Sequence, residues 1–383
     1  MKTFSKCLAL ILAVAGAATL AGCNNGSSSR KTATTANWNV RTSVSAEENS
    51  FDLWKNHKEV AEYAVAFTKG SNNSYEVKYD TETATYGTEF YMIDYDWATD
   101  TAEEYRTEES VSESVYVYKT SLKISGSYKM KSGEAEFAFD DELTTVSYFR
   151  TAKDNLQPVY SYQKVKNTAP AALSTGSLSS AYVQTNEIFE TFYNKNCTEA
   201  LVLKSKPESD GSETYAQYAT KKIGVGSEYS TFDNSQLRAA IRAFTLSGGV
   251  RRFNVLSPQN DGVQSVSATI AGATELNPLD ADHAVILNAL NAANESGYLF
   301  FDGAIPDKAE GESDRNFRYN AVSLSVNQSL AGTSPYMWYS TVENSDINVT
   351  RCVLLRVGTP LSFGMGTLSY TLKSLSLEDI ARE

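Results

Sequence analysis

The chain holds two histidines, His57 and His283, so any chemistry that needs imidazole must use one or both of them. That count excludes a metal centre built on a histidine cluster, and neither a Cys-x-x-Cys nor a His-Glu-x-x-His spacing replaces it. His283 follows Asp280-Ala281-Asp282, a pattern that starts a helix rather than pairing a base with an acid. A Ser-His-Asp hydrolase would have to recruit one of these rings, and no Gly-x-Ser-x-Gly elbow accompanies them. Asp94, Asp96 and Asp100, followed by Glu103 and Glu104, have the outline of a calcium loop. The outline fails where it matters, with Thr99 at the position of the tight-turn glycine and Tyr105 at that of the bidentate glutamate. The segment therefore reads as a solvated acidic loop. Paired carboxylates of glycosidase type leave no local signature, because their separation in space is what matters. Phosphate-cradling glycine loops are absent, so nucleotide use has no support and no cofactor is implied.

Cysteine chemistry is more informative. Lys2 and Lys6 make a short basic start, Leu8 to Ala18 is an uncharged apolar run, and Leu20-Ala21-Gly22-Cys23 follows. The run is shorter than the ~20 apolar residues that span a bilayer. The whole resembles the lipobox of a bacterial type II signal peptide. That resemblance implies removal of residues 1–22, a diacylglyceryl group on the Cys23 thiol and, in many bacteria, acylation of the new amino group. Two or three acyl chains hold a protein durably where one holds it marginally. The implied address is the cell envelope, on the extracytoplasmic face of a membrane. With Cys7 removed and Cys23 lipidated, Cys197 and Cys352 remain. A disulfide between them in an oxidising compartment and a pair of buried thiols both stand as readings.

The elements that carry these residues are mostly strands. From Ser121 to Lys131, Leu122, Ile124, Gly126, Tyr128 and Met130 alternate with Lys and Ser, a period of two held over the stretch. Lys131-Ser132-Gly133-Glu134 supplies a turn, and Ala135, Phe137 and Phe139 continue the alternation, which predicts an antiparallel hairpin. Further strands are expected at 75–79, 90–97, 146–149, 159–165, 182–193, 201–204, 250–256, 263–270, 298–301, 321–326, 352–357 and 366–373. One helix is expected near 234–246, where Leu237, Ala240, Ile241 and Phe244 share a face and Arg238 and Arg242 lie on its flank as solvated arginines. Residues 281–293 give a second helix and 51–62 a weaker third.

The predicted fold is thus mainly β: a large curved antiparallel sheet or sheets with long strands, as a half-barrel or a sandwich, plus two or three short helices. Two or three helices cannot cover a long amphipathic sheet, so its apolar face packs on another sheet or lines a hollow. In strand pattern alone, the chain is similar to open-barrel lipoproteins that carry acyl chains across bacterial envelopes. The organisation expected is 1–22 signal peptide, 23–50 lipidated cysteine and polar tether, 51–206 N-terminal β-rich half and 207–383 C-terminal β-rich half. The polar stretch Lys206 to Glu213 divides the halves, or is a surface loop within one continuous domain.

Thirty-four basic residues face 46 acidic ones, for a net charge of −12, and the loss of Lys2 and Lys6 makes the balance more acidic still. Nucleic acid is disfavoured as a partner, since its binding rests on neutralised phosphates. The covalent lipid, rather than the folded surface, is the expected contact with the membrane. Tyrosine, at 23 residues, is the compositional oddity; Tyr336, Trp338 and Tyr339 form a dense cluster suited to stacking on a glycan or apolar ligand, although strand packing also uses such residues. The leading expectation is a lipid-anchored module for binding or envelope maintenance, without catalysis, for an apolar or acyl ligand. A surface enzyme on polysaccharide or peptide, and an adhesin or subunit of an envelope complex, are the alternatives. Replacing the lipid-bearing residue, Cys23→Ser, is expected to move the protein out of the membrane fraction on cell fractionation; retention there contradicts the anchor.

Overall fold

The computed structural model describes residues 55–71, 75–133, 136–152, 155–170, 182–208, 214–225, 231–242, 249–295, 318–326, 336–344, 349–361 and 365–380. The first half of the chain is a run of long strands: β1 (His57–Lys69), β2 (Tyr75–Asp96), β3 (Ser112–Met130), β4 (Glu136–Ala152), β5 (Asn155–Pro170), β6 (Tyr182–Tyr193), β7 (Glu199–Pro207) and β8 (Tyr215–Gly224). The second half adds β9 (Thr231–Asp233), β10 (Gly249–Ser257), β11 (Gly262–Glu275), β12 (Arg318–Val326), β13 (Tyr336–Asn344), β14 (Val349–Leu361) and β15 (Gly366–Asp379). Between them come helices α1 (Leu237–Arg242) and α2 (Ala281–Glu295). No helix among the described residues is long and apolar enough to cross a membrane.

Among the described residues, all fifteen strands belong to one sheet, ordered β8-β7-β6-β5-β4-β3-β2-β1-β15-β14-β13-β12-β11-β10-β9. Every pair is antiparallel except β9 with β10. The chain lays down β1 to β8 as a meander outward from the middle, and the second run returns to seat β15 against the free side of β1. Of the polar stretch from Lys206 to Glu213, Lys206 and Pro207 belong to β7 and residues 209–213 lie outside the described residues; β7 pairs with β8, and the Glu208 N–H donates to the Thr214 carbonyl at 3.0 Å. Both halves of the sequence thereby build the same sheet.

The backbone ladder does not close, yet the sheet curls until its ends meet through side chains. Lys204 on β7 pairs with Asp261 in the β10–β11 turn at 2.8 Å. Leu256 of β10 packs with Tyr193, Ala200, Val202, Ile223 and Val225 from the opposite end. Helix α1 lies within the curl: its arginines reach Tyr86 on β2 and Glu59 on β1, and its backbone meets Tyr339 on β13. Helix α2 packs against β15 on the other face, because its Asp282 pairs with Arg356, whose cross-strand partner Thr371 points away from Tyr370. Asp280 caps it, accepting the Asp282 and His283 amides at 3.0 and 3.1 Å.

Several expectations change. Residues 57–62 are strand, not helix: Glu59, Ala61 and Tyr63 alternate inward once β2 and β15 supply ladders on both sides. The separate strands expected at 75–79 and 90–97 are one strand of 22 residues, β2, whose ladder shifts between Asp80 and Thr85. There Asp80 accepts the Glu82 and Thr83 amides at 3.2 and 3.3 Å, a side-chain turn that lets the strand bulge without breaking. Strand β8 went unpredicted because it is an exposed edge with little contrast between its faces. The strand expected at 298–301 lies outside the described residues.

On β3, Gly126 lies beneath the Phe139 ring of β4. A Cβ there would stand 2.1 Å from the Lys78 carbonyl and 2.5 Å from the ring. Substituting Gly126→Val is expected to lower stability by about 2 kcal/mol or more, since both neighbours must give way; an unchanged denaturant midpoint would contradict that packing.

Candidate functional site

Register places a band of polar residues on the inner face of the sheet. Along one row Thr88, Thr120, Thr145 and Gln163 are successive cross-strand partners on β2 to β5. In the neighbouring row Tyr118, Ser147, Ser161 and Thr191 continue across β3 to β6. All eight are buried. Hydroxyls facing a dry interior need partners, and the band finds some internally, with Thr120 and Thr145 hydrogen-bonded at 2.7 Å.

The rest of the band is met by the turn that leads into α1. Asp233, fully enclosed, accepts hydrogen bonds from the Ser161 hydroxyl, from the Gln163 amide at 3.1 Å and from the Thr191 hydroxyl at 3.3 Å. It also accepts from the amide and hydroxyl of Ser235, at 2.6 and 2.5 Å. Gln163 donates to Asn234 at 2.6 Å and Gln259 donates to Gln163 at 3.1 Å. Burial pushes the Asp233 carboxyl above its usual range despite these donors. The network joins β5 and β6 to β9 and β10 across the seam, so it is the polar clasp that sets α1 inside the curl.

From that clasp α1 projects its two arginines into a tyrosine-lined interior. Arg242 binds Glu59 of β1 at 2.9 Å and lies 4.9 Å from the Phe90 ring and 5.7 Å from the Tyr118 ring. Arg238 is 2% exposed. Its Nη1 donates to the Tyr86 hydroxyl, its guanidinium stands 5.2 Å over the Tyr86 ring, and its backbone carbonyl accepts the Tyr339 hydroxyl at 3.1 Å. Tyr86 lies 5.0 Å from Tyr63 and 4.8 Å from Tyr370, ring centre to ring centre. Burial raises the pKa of Tyr63, Tyr86, Tyr118 and Tyr370, which keeps these phenols protonated. Among the described residues, Arg238 Nε, Arg238 Nη2 and the Tyr370 hydroxyl have no hydrogen-bond partner.

Arg238 and Arg242 are therefore interior groups, not the solvated flank expected of them. The helix carrying them lies inside the sheet and has no wet side at Arg238. Glu59 was the overlooked signal, an acidic residue in phase with Ala61 and Tyr63 on the inward face of β1.

The residues singled out earlier fall elsewhere. Cys23 lies outside the described residues. Cys197 is a free thiol, its Sγ 3.5 Å from the Pro158 carbonyl, and burial pushes its pKa up. Cys352 occupies β14 opposite Thr341, and its side chain lies outside the description. Tyr339 is a wholly buried wall residue and not an exposed platform, while Tyr336 and Trp338 share its strand with side chains outside the description. Asp96 holds its own turn together, accepting the Ala98 and Val111 amides at 2.9 and 3.2 Å. His57 pairs with Asp379 at 2.8 Å, and His283 accepts the Asn277 amide at 2.9 Å.

A second buried carboxyl, Asp141 on β4, accepts the Thr168 amide at 2.8 Å, and burial raises its pKa to about 8. The unfolded chain ionises this group near pH 4 while the folded chain holds the proton until about pH 8, so its contribution to stability falls as pH rises through that window. Asp141→Asn is expected to be more stable than the parent at pH 8, with the gap closing toward pH 4; equal melting temperatures across the range would contradict it.

No family model and no curated protein matches this sequence. A solved β-barrel-like protein of the domain of unknown function DUF1849 from Brucella abortus is similar in outline. Its identity is 8% and the TM-score 0.38, over 85% of this chain and 98% of that one.

Proposed function

We propose that this protein is a non-catalytic binding module, held by a lipid at Cys23 on the extracytoplasmic face of a bacterial membrane, which takes an apolar or acyl ligand against the inside of its curled sheet. One observation carries the reading: the inner face bears an aromatic wall and, at its middle, buried donors without partners among the described residues. Unmet buried donors are costly, at about 1–3 kcal/mol each, so such a surface is better explained by something that occupies it than by folding alone. The lipobox supports the address, and the acidic surface keeps the body from lying flat on anionic headgroups.

Protein made without residues 1–22 and with Cys23→Ser is expected to carry a co-purified apolar ligand, seen as a discrete mass increment by native mass spectrometry and identified after extraction. A clean apo mass, joined by turnover of a glycan or peptide substrate panel, would replace this reading with that of a surface enzyme.

A further inference from the structure

We infer that Arg238 receives the carboxylate of an apolar monocarboxylic acid, of the long-chain fatty acid class. This deepens the function proposed above and rests on it.

The inference begins with charge. The interior around α1 holds two guanidiniums, Arg238 and Arg242, and Glu59 is committed to Arg242 at 2.9 and 3.2 Å. The side chains that act electrostatically on Arg238 are the phenols of Tyr86, Tyr118, Tyr370 and Tyr339. Burial keeps the first three protonated, and Tyr339 spends its proton on the Arg238 carbonyl, so none supplies a negative charge. Asp233 is turned to the clasp and takes its donors from Ser161, Gln163, Thr191 and Ser235. One buried positive charge thus has no counterion among the described residues, an arrangement that is costly unless an anion completes it.

The geometry of the unmet donors narrows that anion. Nη1 is spent on the Tyr86 hydroxyl, and the two atoms left over are Nε and Nη2. These form one straight edge of the guanidinium, two parallel N–H bonds that match the two oxygens of a carboxylate. The Tyr370 hydroxyl, also unpartnered and protonated, is a third donor on the same wall. A phosphate dianion would exceed the single uncompensated charge and bring more oxygens than these donors satisfy. Tyr86 lies beneath the guanidinium, and Tyr63 and Tyr370 pack against Tyr86 in the main core, so the body attached to the carboxylate is apolar.

The test uses the mature chain with Cys23→Ser, stripped of endogenous lipid, and compares hexadecanoic acid with its methyl ester and with hexadecanol by titration calorimetry at pH 7.5. The acid is expected to bind at least about tenfold more tightly than either neutral analogue, the worth of one charge-assisted bidentate pair. Arg238→Met should erase that preference while keeping affinity for the ester, and Arg238→Lys, which retains the charge and loses the edge, should fall between. Near-ultraviolet circular dichroism checks the fold of both variants, and the acid-to-ester ratio on the parent decides the matter even if a variant does not fold. Equal binding of acid and ester would overturn the headgroup assignment while leaving an apolar-ligand module intact. Binding of none of the three would overturn both, and would assign the Arg238 edge to a carboxylate of the chain itself.

Discussion

Removal of charged and hydroxylic side chains from water is the constraint on which the rest of this structure depends. A sheet of fifteen strands cannot turn a polar band inward unless something inside answers its hydrogen bonds. The segment from Asp233 to Arg242 is that answer, and it explains why so short a helix sits inside a sheet so large. Without it, Ser161 and Gln163 on β5 and Thr191 on the adjacent β6 would lose the acceptor they share. The two ends of the ladder would then rest, among the described residues, on contacts such as the small cluster around Leu256, the Lys204–Asp261 pair and the Gln259–Gln163 hydrogen bond.

The same constraint separates the interior into regions of different character. Toward the ends of β3 and β4, Tyr79, Tyr128 and Phe139 pack ring against ring, with Gly126 making room beneath them. There the shape of the wall is set by close contact and tolerates little change. At the level of α1 the same strands carry Tyr86, Thr88 and Tyr118, and shape gives way to hydrogen bonding and charge. Arg242 resolves its charge with Glu59 in a paired, ring-flanked setting, while four residues earlier Arg238 is buried beside phenols and has no ion-pair partner among the described residues. Two arginines on one helix turn thus have opposite electrostatic situations.

Much of the fold was legible in the chain. Alternation of Leu122, Ile124, Tyr128, Phe137 and Phe139 against lysine, serine and glutamate specifies strands by itself, since a period of two follows from the pleat and needs no knowledge of the partner strand. Helix α2 and its Asp280 cap, and the position of α1, were readable for the same local reason. The site was not. Arg238 and Arg242 have the spacing of a wet helix flank, and nothing local distinguishes a flank that meets water from one that meets six tyrosines and phenylalanines drawn from distant strands. Ser147, Ser161 and Thr191 likewise carry no mark of facing inward, because the side a strand turns to the core depends on register with neighbours and on where the sheet curls. Local chemistry determined the elements and, through Cys23, the expected address. Which charges lose their water, and which of them is left without a partner, was decided only when the two ends of one long sheet were brought together around a six-residue helix.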